Sequence, residues 1–330
     1  MRTVTNEPAD VAPAEEPPPS SCRGCGSTRV RFWRFARASD ARLARRSSFR
    51  LEHCLDCGTA ALADDSDGGD SRSLYESGTY ARPAPALDAL IEPLRRLLRW
   101  ERMRFLPPPE QAPRVFEIGA GDGRFVDALR RRGHEAGGIE PYRGARANGS
   151  PVAAMPLEKL DLESGSQDAV VLWHVLEHLD DPGGALERIR PWLAPRGTLV
   201  VAVPNLSSLQ ARIGGDRWFH QDVPRHRTQF SRPGVVRLLE RSGFRVERVH
   251  SLLLDQNLLG MWQTLLNRLT REPDAFYRLV KRAGRTSARD AAMLAVAGPL
   301  ALPVAALLEL AASAFGRGGS IVLRCTPIET

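Results

Sequence analysis

The chain has 330 residues, enough for one large domain or two modest ones with a substantial buried core. A hydrophobic share of 42% and a charged share of 26% exclude a mainly disordered or fibrous chain. The net charge of +7 comes almost wholly from arginine, since Lys159 and Lys281 are the only lysines. Such a bias reads as base composition before it reads as a nucleic-acid footprint.

Residues 1–21 are rich in Pro, Ala and Glu and lack an apolar run, so a disordered tail is expected rather than a signal peptide. The five cysteines are then expected in a reducing cytoplasm, where paired Cys-x-x-Cys motifs favour metal over disulfide. Cys22-x-x-Cys25 and Cys54-x-x-Cys57, each pair followed by Gly, form two knuckles within residues 22–61. Four thiolates give tetrahedral zinc soft ligands with no open position. A structural zinc ribbon is expected, with strands near 29–36 and 47–52; a redox pair is the alternative.

Residues 62–110 read as a linker, acidic and glycine-rich at 64–70, followed by an amphipathic helix over 87–105. Its apolar face is Leu87, Leu90, Ile91, Leu94, Leu97 and Leu98, and Pro107-Pro108-Pro109 stops it. Residues 111–251 alternate short apolar runs with helical patterns, which predicts crossovers in a parallel sheet. Strands are expected at 114–118, 136–140, near Val152, and at 168–173, 198–203 and 244–250. Helices are expected at 124–132, 184–193 and 232–241, the last capped by Ser231 and ended near Gly243. Pro195-Arg196-Gly197 reads as a turn.

Residues 252–318 read as an apolar helical insert, and 319–330 as a last strand with Cys325 buried in it. No charge falls between Ala291 and Leu308, but Gly298-Pro299 and Pro303 interrupt the run and predict two short helices bent at the prolines. The segment is expected as core or lid, or as a face touching a membrane or a lipid substrate, and 252–269 offers it a second apolar face.

Val115-Phe116-Glu117-Ile118-Gly119-Ala120-Gly121-Asp122-Gly123 sits where a strand turns into a helix. Glycines there let the backbone turn tightly and approach a ligand without a Cβ clash. Glu140 closes the second strand, where sheets of this kind place a carboxylate on a ribose. The spacing is Gly-x-Gly-x-Gly, which differs from the dinucleotide pattern Gly-x-Gly-x-x-Gly. It resembles motif I of the class I S-adenosylmethionine-dependent methyltransferases. The run from Asp168 through Trp173-His174-Val175-Leu176-Glu177-His178 is similar to the fourth strand and active-site edge of their ubiquinone-type O-methyltransferase branch, and Arg196–Asn205 to its fifth strand.

The resemblance implies an α/β fold: a Rossmann-like, seven-stranded methyltransferase sheet with an N-terminal zinc ribbon and a helical insert before the last strand. It implies S-adenosylmethionine as cofactor, contacted by Glu117, Gly119, Ala120, Gly121, Gly123 and Glu140, with Trp173 and His174 at the end of the fourth strand. His174-x-x-Glu177-His178 also fits a zinc-protease pattern, but that pattern needs a helix, and here it begins where a strand ends. His178 is the candidate base, oriented by Glu177. By analogy with the branch, a divalent cation on His174, Glu177 and His178 stays open, although His174 stands where the branch often has Glu. Capping of nearby backbone by Glu177 and His178 is the bland alternative.

Trp218, His220, Arg225 and His226 follow the fifth strand, where loops of such sheets bind ligands, and are assigned to the substrate; a loop pinned by its own Asp222–Arg225 and histidine contacts is the alternative. The expected acceptor is a small molecule, with lipid-linked, quinone, glycan and polyketide compounds all in range. An RNA methyltransferase using the ribbon, or a non-catalytic binding protein on the same fold, are the competing readings. The expected location is cytoplasmic, with peripheral membrane contact through the insert as an option.

Overall fold

The computed structural model describes residues 21–38, 48–63, 92–93, 97–142, 151–276, 279 and 286–328. The expected tail and most of the linker, with Leu87, Leu90, Ile91 and Leu94, lie outside the described residues. Strands β1 (Val30–Arg37), β2 (Ser48–Cys54) and β3 (Ala60–Leu62) form the cysteine-bearing unit. The central strands are β4 (Arg114–Ile118), β5 (Glu135–Ile139), β6 (Val152–Ala153), β7 (Gln167–Trp173) and β8 (Leu193–Pro204). A two-residue β9 (Thr228–Gln229), then β10 (Phe244–His250) and β11 (Ser320–Pro327), complete the set.

The larger sheet has the order β10-β11-β8-β7-β4-β5-β6. Strands β4 to β8 run parallel, while β11 is antiparallel to both β8 and β10. Burial explains the pattern. β7 and β8 are near-continuous apolar runs because helices cover both faces of the sheet. The order reverses beside β4, with β5 on one side and β7 on the other, and ligands bind such sheets at that switch point.

Helix α1 (Arg124–Arg131) leaves the glycine loop and buries Phe125, Val126 and Leu129. α2 (Pro182–Ile189) starts earlier than the sequence suggests, because Asp181 caps it and Pro182 suits its first turn. α3 (Leu209–Gly214) is capped by Ser208, and α4 (Arg232–Arg241) by Ser231, as expected. The expected turn at Pro195-Arg196-Gly197 is instead a bulge inside β8: Gln167 faces Leu193 and Ala169 faces Thr198, so the residues between are looped out. Residues 97–103 are helical, but Leu97 and Trp100 face outward, 52% and 60% exposed, while Phe105 and Leu106 pack on the sheet.

The insert differs most from expectation. α5 (Leu254–Leu269) and α6 (Ala288–Ala314) form an antiparallel pair, and α6 is a single helix that runs through Pro299 and Pro303. Ser313 Oγ donates to Ser251 O at one end, and Trp262 Nε1 donates to Gly298 O in the middle. Both prolines stand one turn apart on the unpacked side, so their lost hydrogen bonds fall away from the packed stripe.

A second sheet, β1-β2-β3-β9, fastens the cysteine unit to the core, because β9 lies just before α4. Ser231 Oγ donates to Cys57 O at 2.5 Å while accepting from Gly234 N, so one hydroxyl joins the second knuckle to the cap of α4.

Candidate active site

The site opens at the carboxyl ends of β4, β5 and β7. After Ile118 the chain turns through Gly119, Gly121 and Gly123 with φ of +72°, +57° and +77°, where L side chains are strained. A Cβ on Gly119 would lie 2.4 Å from Val175 Cγ2, so close packing demands glycine there. A Cβ on Gly121 would meet nothing within 4 Å. Gly121 itself lines a cavity of 380 Å³. Glu140, directly after β5, turns back onto the loop: its Oε2 accepts from Gly121 N at 2.9 Å and its Oε1 from Tyr142 N at 3.3 Å.

The cavity runs from Glu140 and Tyr142, past Gly119 and Gly121, to His174 and His178. A second hollow of 290 Å³ lies across the loop, against Glu117, Ala120, Trp173, Arg99 and Arg102. Burial pushes the Glu117 carboxyl up to about 8, although the Arg102 charge opposes it. Arg102 also stands 4.9 Å from the centroid of Trp173. Gly123 lines neither hollow and serves as the first cap of α1, against Val152.

At the other end, His174 adopts φ +55°, a left-handed conformation for a bulky residue, which is the local strain often held at functional sites. Leu176–His178 form a short 3-10 turn, so His174 and His178 do not share the helical face a zinc protease requires. Glu177 orients a different histidine from the one expected: His174 Nδ1 donates to its Oε1 at 3.0 Å. Burial alone would raise Glu177, but the His174 hydrogen bond, helped by the other histidine rings around it, holds it at about 2. His178 Nδ1 lies 3.0 Å from Arg225 O. A carbonyl only accepts, so Nδ1 carries a proton, and in the neutral ring the lone pair falls on Nε2.

Trp218, His220, Arg225 and His226 stand behind this edge: all four are buried and none lines the cavity. Arg225 clamps Asp222 through Nε at 2.9 Å, which matches the pinned-loop alternative. The His220 ring stacks on His174 at 6.1 Å, and the His226 ring meets His178 edge-on at 4.7 Å. Burial above all pushes His220 down to about 3 and His226 to about 4, so both are neutral near neutral pH. Trp173 Nε1, His174 Nε2, Glu177 Oε2 and His220 Nε2 are buried without a protein partner. Buried polar atoms of this kind are costly to leave unsatisfied, and here they gather on one edge. The open cation set of His174, Glu177 and His178 gives way to Glu177, His178 and His226, whose ligand atoms lie within 4.8 Å of one another.

Sequence reading missed Tyr142, Leu157, Glu158 and Val175 on the cavity wall, and Arg99 and Arg102 in the second hollow. Only the basic residues in the helix before β4 offered a signal. In the cysteine unit the Sγ atoms of Cys22, Cys25, Cys54 and Cys57 lie within 4.8 Å of one another, with 3.5 Å between Cys22 and Cys57 and 3.6 Å between Cys25 and Cys54. A zinc ion with sulfur at about 2.3 Å sets neighbouring sulfurs about 3.8 Å apart, so the donor set fits. The Cys22 thiol, hydrogen-bonded to Cys57, holds Cys57 down at about 4.

Residues 90–249 match the model of a methyltransferase domain family. The chain is 26% identical to a ubiquinone biosynthesis O-methyltransferase of Azorhizobium caulinodans, over 54% of this chain and 75% of that protein. Among solved structures it is similar to a possible histamine N-methyltransferase of Thermotoga maritima, with 21% identity, 70% and 88% of the two chains covered, and a TM-score of 0.42. Another is the 1,6-didemethyltoxoflavin-N1-methyltransferase of Burkholderia thailandensis, with 16% identity, 84% and 99% covered, and a TM-score of 0.42. With the family match lying over this sheet order and this carboxylate-facing glycine loop, residues 90–249 are a methyltransferase domain of the class I S-adenosylmethionine-dependent type.

Proposed function

We propose that the enzyme methylates a small-molecule acceptor, with His178 taking the proton from the acceptor atom. The observation that carries this reading is the continuous cavity from Glu140 to His178. Glu140 supplies a carboxylate for the ribose hydroxyls, and the bare edge at Gly121 leaves room for the methionyl chain. Glu117 offers a carboxyl to its amino group and Arg102 a positive charge to its carboxylate. When bound, S-adenosylmethionine supplies an activated methyl group on a sulfonium. The protein must then align the acceptor and remove its proton.

The carbonyl of Arg225 fixes the His178 tautomer, so Nε2 is the proton-accepting nitrogen before any ligand arrives. Glu177 holds His174 in its strained conformation at the cavity mouth. The similarity to a ubiquinone biosynthesis O-methyltransferase supports a small-molecule acceptor; lipid-linked, quinone, glycan and polyketide compounds remain in range. The four cysteines are read as a structural zinc site, all four positions being filled by sulfur.

The test is labelled methyl transfer from S-adenosylmethionine into cell extract, with cofactor binding followed by calorimetry. Label should enter the small-molecule fraction. His178→Ala should reduce transfer by about 10²-fold or more while leaving cofactor affinity within a few-fold. Absence of cofactor binding, full transfer by His178→Ala, or label confined to RNA would each overturn the reading.

A further inference from the structure

α6 is seated along one stripe. Leu294, Gly298, Ala305 and Ala312 are buried, and both acids of the helix, Asp290 and Glu309, turn inward with them. Asp290 accepts from Arg271 N, and Glu309 accepts from Gly319 N and Gln210 Nε2. At about 100° per residue, these positions cover only a minor arc of the helix. The rest is open and apolar. Leu300 and Leu307 are 69% and 70% exposed, and Val296, Val304 and Leu310 stand beside them. Over 18 residues the mean hydropathy is 2.1 and only 17% of the window is buried. A core helix or a closed lid would hide such a face; among the described residues nothing covers this one.

The charges at its borders identify what covers it. Arg289 and Arg317 flank the two ends, both exposed, with no acid on the open face between them. Arg317 also lines a hollow of 370 Å³ with Arg212 and Ser208, beside Trp33, Leu206 and Leu209. A second copy paired on this face about a two-fold axis would set Arg289 against Arg317, or each arginine against itself. An anionic lipid surface instead receives the apolar residues among its acyl chains and offers phosphates to both ends. The inner stripe, bonded to α5 and to Gly319 ahead of β11, keeps the helix on the domain, so it lies along a bilayer and does not cross it.

We propose that the open face of α6 beds into the surface of an anionic phospholipid bilayer, with Arg289 and Arg317 on headgroup phosphates. α5 then separates the bilayer from the histidine edge by one helix layer, since Gly260 packs directly on His220.

The test is flotation of the full chain with phosphatidylglycerol–phosphatidylcholine vesicles and with pure phosphatidylcholine. Wild type should float with the anionic vesicles and weaken with salt. Leu300→Glu/Leu307→Glu should lower the bound fraction by about tenfold or more, and Arg289→Gln/Arg317→Gln should remove the preference for anionic lipid. Unchanged melting temperature and S-adenosylmethionine affinity certify that these variants fold, and the milder Leu300→Gln serves if the double variant does not. Wild type that stays soluble with every vesicle overturns the proposal. So does a dimer, seen by light scattering, that the same leucine changes dissociate without any effect on vesicles.

Discussion

Alanine at Gly121 separates a ligand site from a merely glycine-rich turn. At φ +57° an L residue costs about 1–2 kcal/mol, and the new methyl meets nothing within 4 Å, so no clash adds to it. For a domain of this size that lowers the melting temperature by roughly 2–8 °C. Gly119→Ala carries similar strain at φ +72°, but its Cβ also falls 2.4 Å from Val175 Cγ2, and such overpacking costs about 1–3 kcal/mol more. In thermal melts, Gly119→Ala should therefore be the less stable of the two. Binding isolates the other half of the argument: Gly121→Arg fills the cavity and should weaken S-adenosylmethionine by about 100-fold or more, roughly 2.7 kcal/mol, by calorimetry. The reasoning fails if Gly121→Arg binds the cofactor as tightly as wild type, or if Gly121→Ala proves less stable than Gly119→Ala.

Glu117 gives a pH signature. Its carboxyl holds its proton up to about 8 in the folded chain, against 4.5 for an ordinary glutamate. The unfolded chain therefore releases that proton first. The stability owed to the protonated form is complete below about 4.5 and falls away as pH rises to about 8. The melting temperature of wild type relative to Glu117→Gln should decline across that window, and a difference flat with pH removes the buried neutral carboxyl. At the ribbon, metal analysis of wild type should find about one zinc per chain, lost in Cys54→Ser together with thermal stability. Wild type without zinc, or Cys54→Ser with a full complement, would refute the site.

What was legible in the sequence was local. β4, β7 and β8 are apolar runs punctuated by Gly or polar residues, and the glycine loop with Glu140 lies within one strand–helix–strand unit, so spacing alone located it. Features set by long-range pairing were hidden. Thr228–Gln229 is a polar dipeptide that becomes strand only because Ala60 and Ala61 lie beside it. The single helix through Pro299 and Pro303 defied the proline rule because both residues fell on the unpacked side, where a missing donor disturbs no neighbour. The histidine edge was found as residues but not as bonds. Glu177 stands three residues from the partner it holds, while His178 is set by a carbonyl 47 residues downstream.

That downstream carbonyl lies in a segment that joins the cysteine unit to the histidine edge. Leu62 N, at the end of β3, donates to Arg227 O, and Arg227 N donates to Glu177 O at 2.8 Å. Two residues earlier, Arg225 O receives His178 Nδ1. The backbone that fixes the candidate base is thus pinned on one side by the cysteine unit and on the other by the turn that carries Glu177 and His178. The candidate cofactor corner at Gly121 and Glu140 follows β4 and β5 and shares none of these bonds. Loosening the ribbon should therefore act on one half of the site. Cys54→Ser should lower kcat while leaving S-adenosylmethionine affinity near that of wild type, a split that general unfolding would not produce. Equal losses in both would mean that the ribbon only stabilises the fold. Unchanged kcat in a zinc-free variant would cut the path from β3 to His178.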